Sequence, residues 1–337
     1  MSRETLNVAL AMGPGVASRI FSAGHLESLP AGLRLLNHDP MEEFSSRRSL
    51  ALLAETDILL TGWNCAKVDA TVLDAAPRLR HILHAGGTVK NHVDSACWAR
   101  GVQVSTAAEA NAIPVAEYTL AMILLANKRV LQIAGTLHRE KAPVEPDGLF
   151  PDMGNYGKRV GIIGASKIGR HVIRLLKPFE LEVVVADPFL TEADAQALGV
   201  ASVELEELME TSDVVSLHAP ALPSTLNLVN AGLIARMRTG TTFINTARGE
   251  LVDQEALLAR LERGELFAVL DVTTPWVLPP DSRFYSNPNV LLTPHLAGSL
   301  GTELERLAAT ALAEAQRISR GEPLRFPVQD EDLAFTA

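Results

Sequence analysis

The sequence has little cysteine, few aromatic residues and no excess of positive charge. Among 337 residues there are two cysteines, 5% aromatic residues and a formal net charge of −10. A negative net charge argues against nucleic acid or an anionic membrane as a partner, because both require a basic surface. Cys65 and Cys97 do not have metal-ligand spacing. We interpret them as free thiols in a reducing cytoplasm, and we predict no metal site.

Long hydrophobic runs are also absent. The first residues, MSRETLNVALAM, lack the long apolar core of a signal peptide, and no run reaches the length that spans a membrane. Hydrophobic residues still make up 47% of the chain and charged residues 21%, which is typical of a globular protein. The length is sufficient for two domains of ordinary size.

Short apolar runs alternate with helical patterns along most of the chain, which predicts right-handed βαβ units and parallel sheets. The longest periodic stretch, Asn111–Val130, predicts a largely buried helix with Pro114 in its first turn. A loop rich in Pro, Gly and Asp is predicted at Ala142–Gly157. About six strands are predicted after this loop, as a dinucleotide-binding domain requires. Earlier strands are predicted at Leu6–Ala11, Asp57–Leu60, Arg80–Leu83 and Val102–Val104, and a C-terminal helix at Glu303–Arg320.

Val160–Arg170 reads VGIIGASKIGR and combines an apolar strand, a glycine turn and the start of a helix. Such a unit offers a pyrophosphate free N–H groups and the positive dipole end of the helix. Gly164 and Gly169 hold the first and third glycine positions, and Ser166 stands at the second, where its hydroxyl can donate to a phosphate oxygen. A plain strand-to-helix turn would use the same glycines for close packing, so that interpretation stays open.

Asp187 favours the nucleotide interpretation. It ends a second apolar strand, Leu181–Ala186, about 20 residues beyond the glycines. A carboxylate there accepts hydrogen bonds from both adenosine ribose hydroxyls and repels a 2′-phosphate, so NAD is favoured over NADP. The alternative is an ordinary Asp-Pro surface turn.

Four further polar residues each follow a predicted strand: His218, Arg248, Asp271 and His295. Doubly wound sheets bind ligands beyond the carboxyl ends of their strands. Taken singly, an arginine in a loop is usually solvated and a histidine after a strand is often structural. At equivalent ends of successive strands, the four residues support one another as a site.

Six segments together carry a family resemblance: GASKIGR, LHAPALPSTLNLV, FINTARGELVDQEAL, LLTPHLAGS, NAIPVAEYTLAMILL and HAGGTVKNHVD. Over nearly its whole length, the chain resembles the D-isomer-specific 2-hydroxyacid dehydrogenases. The resemblance implies an α/β protein with two doubly wound parallel sheets. A Rossmann NAD-binding domain, residues 109–300, would be inserted into a flavodoxin-like substrate-binding domain, residues 1–108 plus 301–337. It also implies an NAD-dependent oxidoreductase that interconverts a 2-oxo acid and a D-2-hydroxy acid, and a homodimer formed through the NAD-binding domains.

The resemblance assigns roles to individual residues. Arg248 would bind the substrate carboxylate, and His295 would be the general acid in reduction and the base in oxidation. Asp271 would accept from the nicotinamide carboxamide, and closure of a cleft between the domains would bring the Gly86–Thr88 turn onto the substrate. The residues predicted to contact NAD are Gly164, Ser166, Lys167, Ile168, Asp187, His218, Ala219, Thr246, Ala247, Arg248, Asp271, His295 and Gly298. Those predicted to contact the substrate are Trp63, Gly86, Gly87, Thr88, Arg248 and His295.

Two positions depart from the family pattern. Family members usually carry a glutamate shortly after the Asp271 position, which pairs with the catalytic histidine, and here Trp276 replaces it. Because indole only donates a hydrogen bond, we expect the pKa of His295 to lie near or below 6.5 and turnover at neutral pH to be weak. Asp281 is a candidate substitute. Trp63 stands at about the position of a phosphate-binding arginine of phosphoglycerate dehydrogenases, which suggests an apolar or uncharged substrate side group; simple packing of the domain edge explains it equally well.

Two other functions stay open on the sequence alone. Trp276 and Ser166 are compatible with an NAD-binding protein that no longer catalyses and acts as a sensor or scaffold. Arg248 and His295 are also compatible with a related dehydrogenase of a substrate that is not a hydroxy acid, as formate and phosphite dehydrogenases are.

Overall fold

The computed structural model describes residues 5–27 and 29–334. The described residues contain thirteen strands, which form two separate sheets. In chain order the strands are β1 (Leu6–Ala11), β2 (Leu33–Leu35), β3 (Ile58–Thr61), β4 (His81–His84), β5 (Gln103–Thr106), β6 (Arg159–Ile163), β7 (Glu182–Ala186), β8 (Ala201–Ser202), β9 (Val214–Leu217), β10 (Thr242–Asn245), β11 (Phe267–Leu270), β12 (Val290–Leu292) and β13 (Pro327–Val328).

Helices separate most of these strands. In chain order they are α1 (Val16–Ile20), α2 (Ala23–Glu27), α3 (Arg47–Glu55), α4 (Ala70–Ala75), α5 (Ala96–Ala99), α6 (Ala108–Asn127), α7 (Val130–Glu140), α8 (Pro146–Leu149), α9 (Lys167–Leu176), α10 (Glu192–Leu198), α11 (Leu205–Thr211), α12 (Ala231–Arg236), α13 (Gln254–Glu262) and α14 (Leu304–Ser319). Short 3₁₀ turns lie at Gly249–Leu251, Gly301–Glu303 and Glu331–Ala334.

The chain divides into two compact units, and the first comprises the residues up to Ala112 together with those from Ser299 onward. Its strands are ordered β2-β1-β3-β4-β5-β13, and all pairs are parallel except β13 on β5. The order of the five parallel strands is that of flavodoxin-like folds. Leu307 and Ala311 of α14 lie in the same apolar cluster as Val8 of β1, so the C-terminal helix packs on this unit, as predicted.

The second unit runs from Ile113 to Gly298 and has the strand order β8-β7-β6-β9-β10-β11-β12, with every pair parallel. Its first six strands in the chain follow the Rossmann order, and β12 adds a seventh at one edge. The predicted fold class is confirmed. The strand count was too low because Ala201–Ser202 is a two-residue, exposed strand without an apolar pattern.

The predicted helix Asn111–Val130 was wrong in its bounds. Helix α6 begins at Ala108, so Pro114 lies inside it and not in its first turn. The helix stops before Arg129, which has a left-handed backbone with a φ of 52° and precedes a separate helix, α7. The buried guanidinium of Arg129 donates to Thr242 Oγ1 and lies 4.4 Å from the centre of the Phe267 ring. These long-range contacts hold the break, and the local sequence pattern does not show them.

Among the described residues, no helix by itself has both the length and the apolar composition needed to cross a membrane; α6 and α7 reach them only as a pair bent by 59°. Cys65 and Cys97 are free, as predicted, and both are buried. Burial raises the pKa of the Cys65 thiol to about 12 and that of Cys97 to about 11. Both therefore stay protonated at neutral pH.

Candidate active site

In the glycine turn after β6, backbone atoms lie so close together that two positions have no room for a side chain. Gly164 has a φ of 94°, and a Cβ on it would lie 2.8 Å from the Ala219 nitrogen. A Cβ on Gly169 would lie 2.1 Å from the Gly164 oxygen, so neither position tolerates a side chain. Ser166 caps helix α9, because its Oγ accepts from the Gly169 N–H at 3.3 Å. A hydroxyl that accepts in this way still has a hydrogen to donate.

Asp187, at the end of β7, is tied to the same turn. One oxygen of its half-buried carboxylate accepts from the Ala165 N–H at 2.6 Å, and the other accepts from the Phe189 N–H at 2.8 Å. A carboxylate has about four acceptor positions, so two further hydrogen bonds remain possible. Lys167 and Ile168 form the first turn of α9, a ten-residue helix whose N-terminus is an anion site by its dipole. The turn, the helix end and the carboxylate together fit the phosphates and one ribose of NAD.

His218 lies below the glycine turn and not on its surface. Its imidazole is buried. Nε2 lies 2.9 Å from Ser216 Oγ, and Nδ1 has no hydrogen-bond partner within residues 5–27 and 29–334. Burial lowers the pKa of His218 to about 3, so the ring is neutral. The imidazole of His218 lies in the interior of the protein. The predicted contact of His218 with NAD stays a prediction.

The turn after β10 presents Arg248. The Asn245 side chain fixes this turn by accepting from the Ala247 N–H and donating to the Arg248 oxygen, both at 2.9 Å. The half-buried Arg248 guanidinium donates to the Ala247 oxygen at 2.7 Å. Burial lowers the pKa of Arg248, and Glu250 opposes this effect. A guanidinium carries five N–H donors in a fixed fork, so donors remain for a planar carboxylate. Thr246, before it, is buried.

Asp271 shapes the turn that carries His295. Its buried carboxylate accepts from Thr293 Oγ1 at 2.6 Å, from the Leu296 N–H at 2.8 Å and from the Ala297 N–H at 3.0 Å. The sequence suggested a contact from Asp271 to the nicotinamide, which stays a prediction. Its part in holding the turn at residues 293–297 was missed, because no spacing pattern links a strand-end carboxylate to N–H groups 25 residues later.

His295 adopts a left-handed backbone conformation, with a φ of 54°, and its N–H donates to the Asp271 and Thr293 oxygens, each at 3.0 Å. Its Nδ1 is buried and finds no hydrogen-bond partner in the part of the chain that the structure describes. Burial lowers the pKa of His295; Asp271 raises it and the Arg248 charge lowers it. The charge of Arg248 acts on His295, so the two side chains lie in the same part of the second unit.

Trp276 contacts His295 directly. The two ring centres are 4.5 Å apart, and the planes are inclined by 36°. The Thr274 N–H donates to Gln254 Oε1 at 3.0 Å, and Thr273 Oγ1 donates to the Trp276 oxygen at 3.1 Å, so the loop is held at two points. The indole lies beside the imidazole with Trp276 61% exposed. Asp281, the candidate substitute for the missing carboxylate, is exposed, and the charges that shift the His295 pKa belong to Asp271 and Arg248.

The predicted residues of the first unit lie at the carboxyl ends of its strands. Trp63 follows β3 and packs, half-buried, against the apolar cluster of α1 and α14. Gly86, Gly87 and Thr88 follow β4, and Thr88 Oγ1 accepts from the Lys90 N–H at 3.3 Å. Gly298 is the last residue of the second unit.

Comparison with known proteins shows to which family the chain belongs. The model of the NAD-binding domain of D-isomer specific 2-hydroxyacid dehydrogenases matches residues 120–297, which is more than half of the chain. The chain belongs to this family. Its second unit is the family's NAD-binding domain, and the cofactor is NAD.

Relatives within the family include D-3-phosphoglycerate dehydrogenases. The enzyme of Mycobacterium leprae is 33% identical over 273 residues, which cover 80% of this chain and 50% of the relative. That of Bacillus subtilis is 33% identical over 263 residues, which cover 77% of this chain and 49% of the relative. The chain thus spans about half the length of the curated relatives it matches.

Solved structures of family members show the same fold. A phosphoglycerate oxidoreductase from Rhizobium etli has a TM-score of 0.82 at 23% identity, covering 97% of this chain and 99% of its own. The NAD-complexed D-isomer specific 2-hydroxyacid dehydrogenase of Lactobacillus delbrueckii ssp. bulgaricus has a TM-score of 0.78 at 20% identity, covering 96% of this chain and all of its own. Within this family fold, the Trp276 ring of this chain contacts the His295 ring.

Proposed function

We propose that this protein is an NAD-dependent dehydrogenase that interconverts a 2-oxo acid and a D-2-hydroxy acid. The observation that carries the proposal is the grouping of Arg248, Asp271 and His295 beyond three neighbouring strands, β10, β11 and β12, where the charges of Asp271 and Arg248 act on His295. Ligands of doubly wound sheets bind at this edge. The glycine turn and Asp187, at the carboxyl ends of β6 and β7, supply the nucleotide contacts at the same edge.

Each residue has a defined part in the proposed reaction. Arg248 binds the substrate carboxylate through paired N–H donors and orients the neighbouring carbonyl. NAD, when bound, supplies or takes the hydride. His295 gives a proton to the carbonyl oxygen during reduction and takes it back from the hydroxyl during oxidation. Asp271 holds the turn that presents His295, and Trp276 packs on the imidazole.

Screening of NADH oxidation with 2-oxo acids of increasing side-chain size, at two pH values, tests this function. We expect at least one 2-oxo acid to be reduced, and faster at the lower pH. NADH binding without turnover of any 2-oxo acid would contradict the proposal and support the non-catalytic NAD-binding protein. NAD reduction by formate or phosphite, without turnover of any 2-hydroxy acid, would instead support the related dehydrogenase.

We also propose a homodimer formed through the NAD-binding units, in a reducing cytoplasm where the two thiols stay free. Helix α7 contains no buried residue, although Val130, Leu131 and Leu137 are apolar. Leu149 and Tyr156, shortly after it in the chain, are also exposed. A cluster of exposed apolar residues is typical of a protein interface.

Leu131→Glu and Leu137→Glu should convert the dimer to a monomer. The wild-type particle is expected at twice the chain mass of 36.2 kDa, and each variant at the chain mass, because a buried glutamate in an apolar interface is unfavourable. Leu50→Glu is the matched control, since Leu50 is an exposed leucine on α3 of the other unit. Light scattering after size exclusion measures the mass. A wild-type monomer, or a dimer that all three variants retain, would rule this surface out.

A further inference from the structure

Trp276 is a large aromatic residue that stays 61% exposed beside the candidate acid/base residue. The centres of its ring and of the His295 ring are 4.5 Å apart, and the ring planes are inclined by 36°. The segment that carries the indole, Val272–Leu278, contains no charged residue. Because an exposed ring contributes little to a hydrophobic core, the indole is placed to act on His295 rather than to fill the core.

The loop at residues 273–277 is anchored by the segment that follows β10. Gln254, at the start of α13, accepts from the Thr274 N–H with its Oε1 at 3.0 Å and donates to the Thr274 oxygen with its Nε2. A Cβ on Gly249 would lie 2.2 Å from the Thr273 carbonyl carbon and 2.5 Å from the Thr274 nitrogen, so the two backbones are in contact. The start of the loop is therefore held from two sides.

Hydrogen bonds also hold the rest of this loop. Thr273 Oγ1 lies 2.8 Å from the Pro275 oxygen and 3.1 Å from the Trp276 oxygen. Leu278, which ends the segment, belongs to the apolar core of the second unit, and the Tyr285 hydroxyl donates to its oxygen at 3.2 Å. The backbone that carries the exposed indole is thus fixed at both ends.

The groups around His295 leave its protonated form poorly stabilised. Burial lowers the pKa of His295, the Asp271 charge opposes this effect and the Arg248 charge adds to it. The Asp271 carboxylate already accepts from three donors of the turn at residues 293–297. His295 Nδ1 is buried, and none of the residues that the structure describes forms a hydrogen bond with it. A contact through the face of the imidazole is the one that remains.

The indole supplies a contact of this kind. A cation within about 6 Å of the centre of an aromatic ring is attracted by the negative π-face, and tryptophan is the strongest partner among the aromatic residues. Protonated imidazole is a planar cation whose charge is shared by its two nitrogens. The 4.5 Å between the Trp276 and His295 ring centres lies within this range. Because the attraction needs no hydrogen-bond acceptor, an indole can favour the protonated ring where a carboxylate is absent.

We propose that Trp276 is a positioning residue whose indole face stabilises the protonated form of His295, and that Gln254 holds the indole there through the Thr274 backbone. The consequence for catalysis rests on the proposed function. His295 remains a proton donor up to a higher pH than it would beside an aliphatic side chain, and the indole offsets part of the effect of burial.

Titration of His295 by NMR of histidine-labelled protein, together with the pH profile of 2-oxo acid reduction, tests this inference. Trp276→Leu keeps an apolar side chain beside the imidazole but removes the π-face, and should lower the pKa of His295 by roughly half a unit. Reduction at a pH above both pKa values should then fall by about threefold. Trp276→Phe should retain part of the effect, because a phenyl ring also has a π-face. His295→Asn identifies the resonance of this histidine.

Gln254→Leu should shift the pKa of His295 in the same direction, because both hydrogen bonds to Thr274 are lost. Added to Trp276→Leu, it should cause no further shift. The matched control is Gln196→Leu, which changes an exposed glutamine on α10 of the same unit and should leave the pKa unchanged. A Gln254→Leu shift of equal size with and without the indole would show that Gln254 does not act through Trp276, which would contradict the inference.

The sign of the Trp276→Leu shift separates two roles of the indole. If the ring acts only by excluding water, the smaller leucine should raise the pKa of His295, because burial is what lowers it. A raised or unchanged pKa would therefore overturn the inference. The NMR titration requires no turnover. If the expected shift is found but no 2-oxo acid is reduced, the proposed function fails while the stabilisation of protonated His295 stands.

Discussion

Replacing His295 with asparagine is expected to lower kcat/KM for 2-oxo acid reduction by roughly 10²–10⁴-fold, which is the usual contribution of a general acid. Asparagine is the substitution of choice because residue 295 has a φ of 54°, and asparagine tolerates the left-handed region better than most residues. The amide keeps the backbone turn but cannot give a proton. The residual rate should therefore lose the pH dependence that comes from imidazole ionisation.

Two controls make the His295 prediction specific. His38→Asn changes an exposed histidine of the other unit and should leave kcat/KM unchanged. The affinity of His295→Asn for NADH, measured by fluorescence, should change far less than kcat/KM, because the glycine turn and Asp187 are untouched. A variant that keeps most of its activity would show that another group protonates the carbonyl oxygen.

Replacing Trp276 with glutamate is expected to raise the pKa of His295 by about one unit, because a carboxylate would then lie beside the imidazole that the indole now covers. Reduction requires the protonated ring, so its rate is full below the pKa and falls as pH rises through it. In the wild type, burial and Arg248 lower this pKa and Asp271 opposes them, so reduction should be lost at a pH below the ordinary histidine pKa. In the variant the loss should occur at higher pH, with a roughly tenfold gain in reduction above both pKa values.

The rate of the reverse reaction, oxidation of the hydroxy acid, should depend on pH in the opposite direction. Oxidation of the hydroxy acid requires the neutral imidazole, so the wild type should oxidise at lower pH than the Trp276→Glu variant does. Trp276→Gln is the matched control, since it removes the ring without adding charge and should not reproduce the shift. Identical pH profiles for the glutamate and glutamine variants would show that a carboxylate at this position does not act on His295.

The sequence predicted the fold class because buried parallel strands appear as short apolar runs between helices, as at Val214–Leu217. Elements that depend on distant contacts were not predictable in the same way. The break between α6 and α7 depends on Arg129 reaching Thr242 and Phe267, more than 100 residues away. The exposed strand β8 has no apolar pattern at all.

The candidate site, like the fold, was predictable from the sequence only in part. Arg248 and His295 were found because each lies in a segment that resembles the family, and Trp276 because it departs from the family pattern. The pattern alone did not show how the indole lies on the imidazole or that Asp271 holds the turn at residues 293–297.

The central claim, transfer of hydride between NAD and the C2 carbon of a 2-oxo acid at the Arg248–His295 site, is tested most directly with NADH deuterated at C4. We expect the wild type to yield a D-2-hydroxy acid with deuterium on C2, and the His295→Asn variant to yield very little of this product. Mass spectrometry locates the label, and chiral chromatography gives the configuration. An L product, or no labelled product from any 2-oxo acid by a protein that binds NADH, would contradict the account.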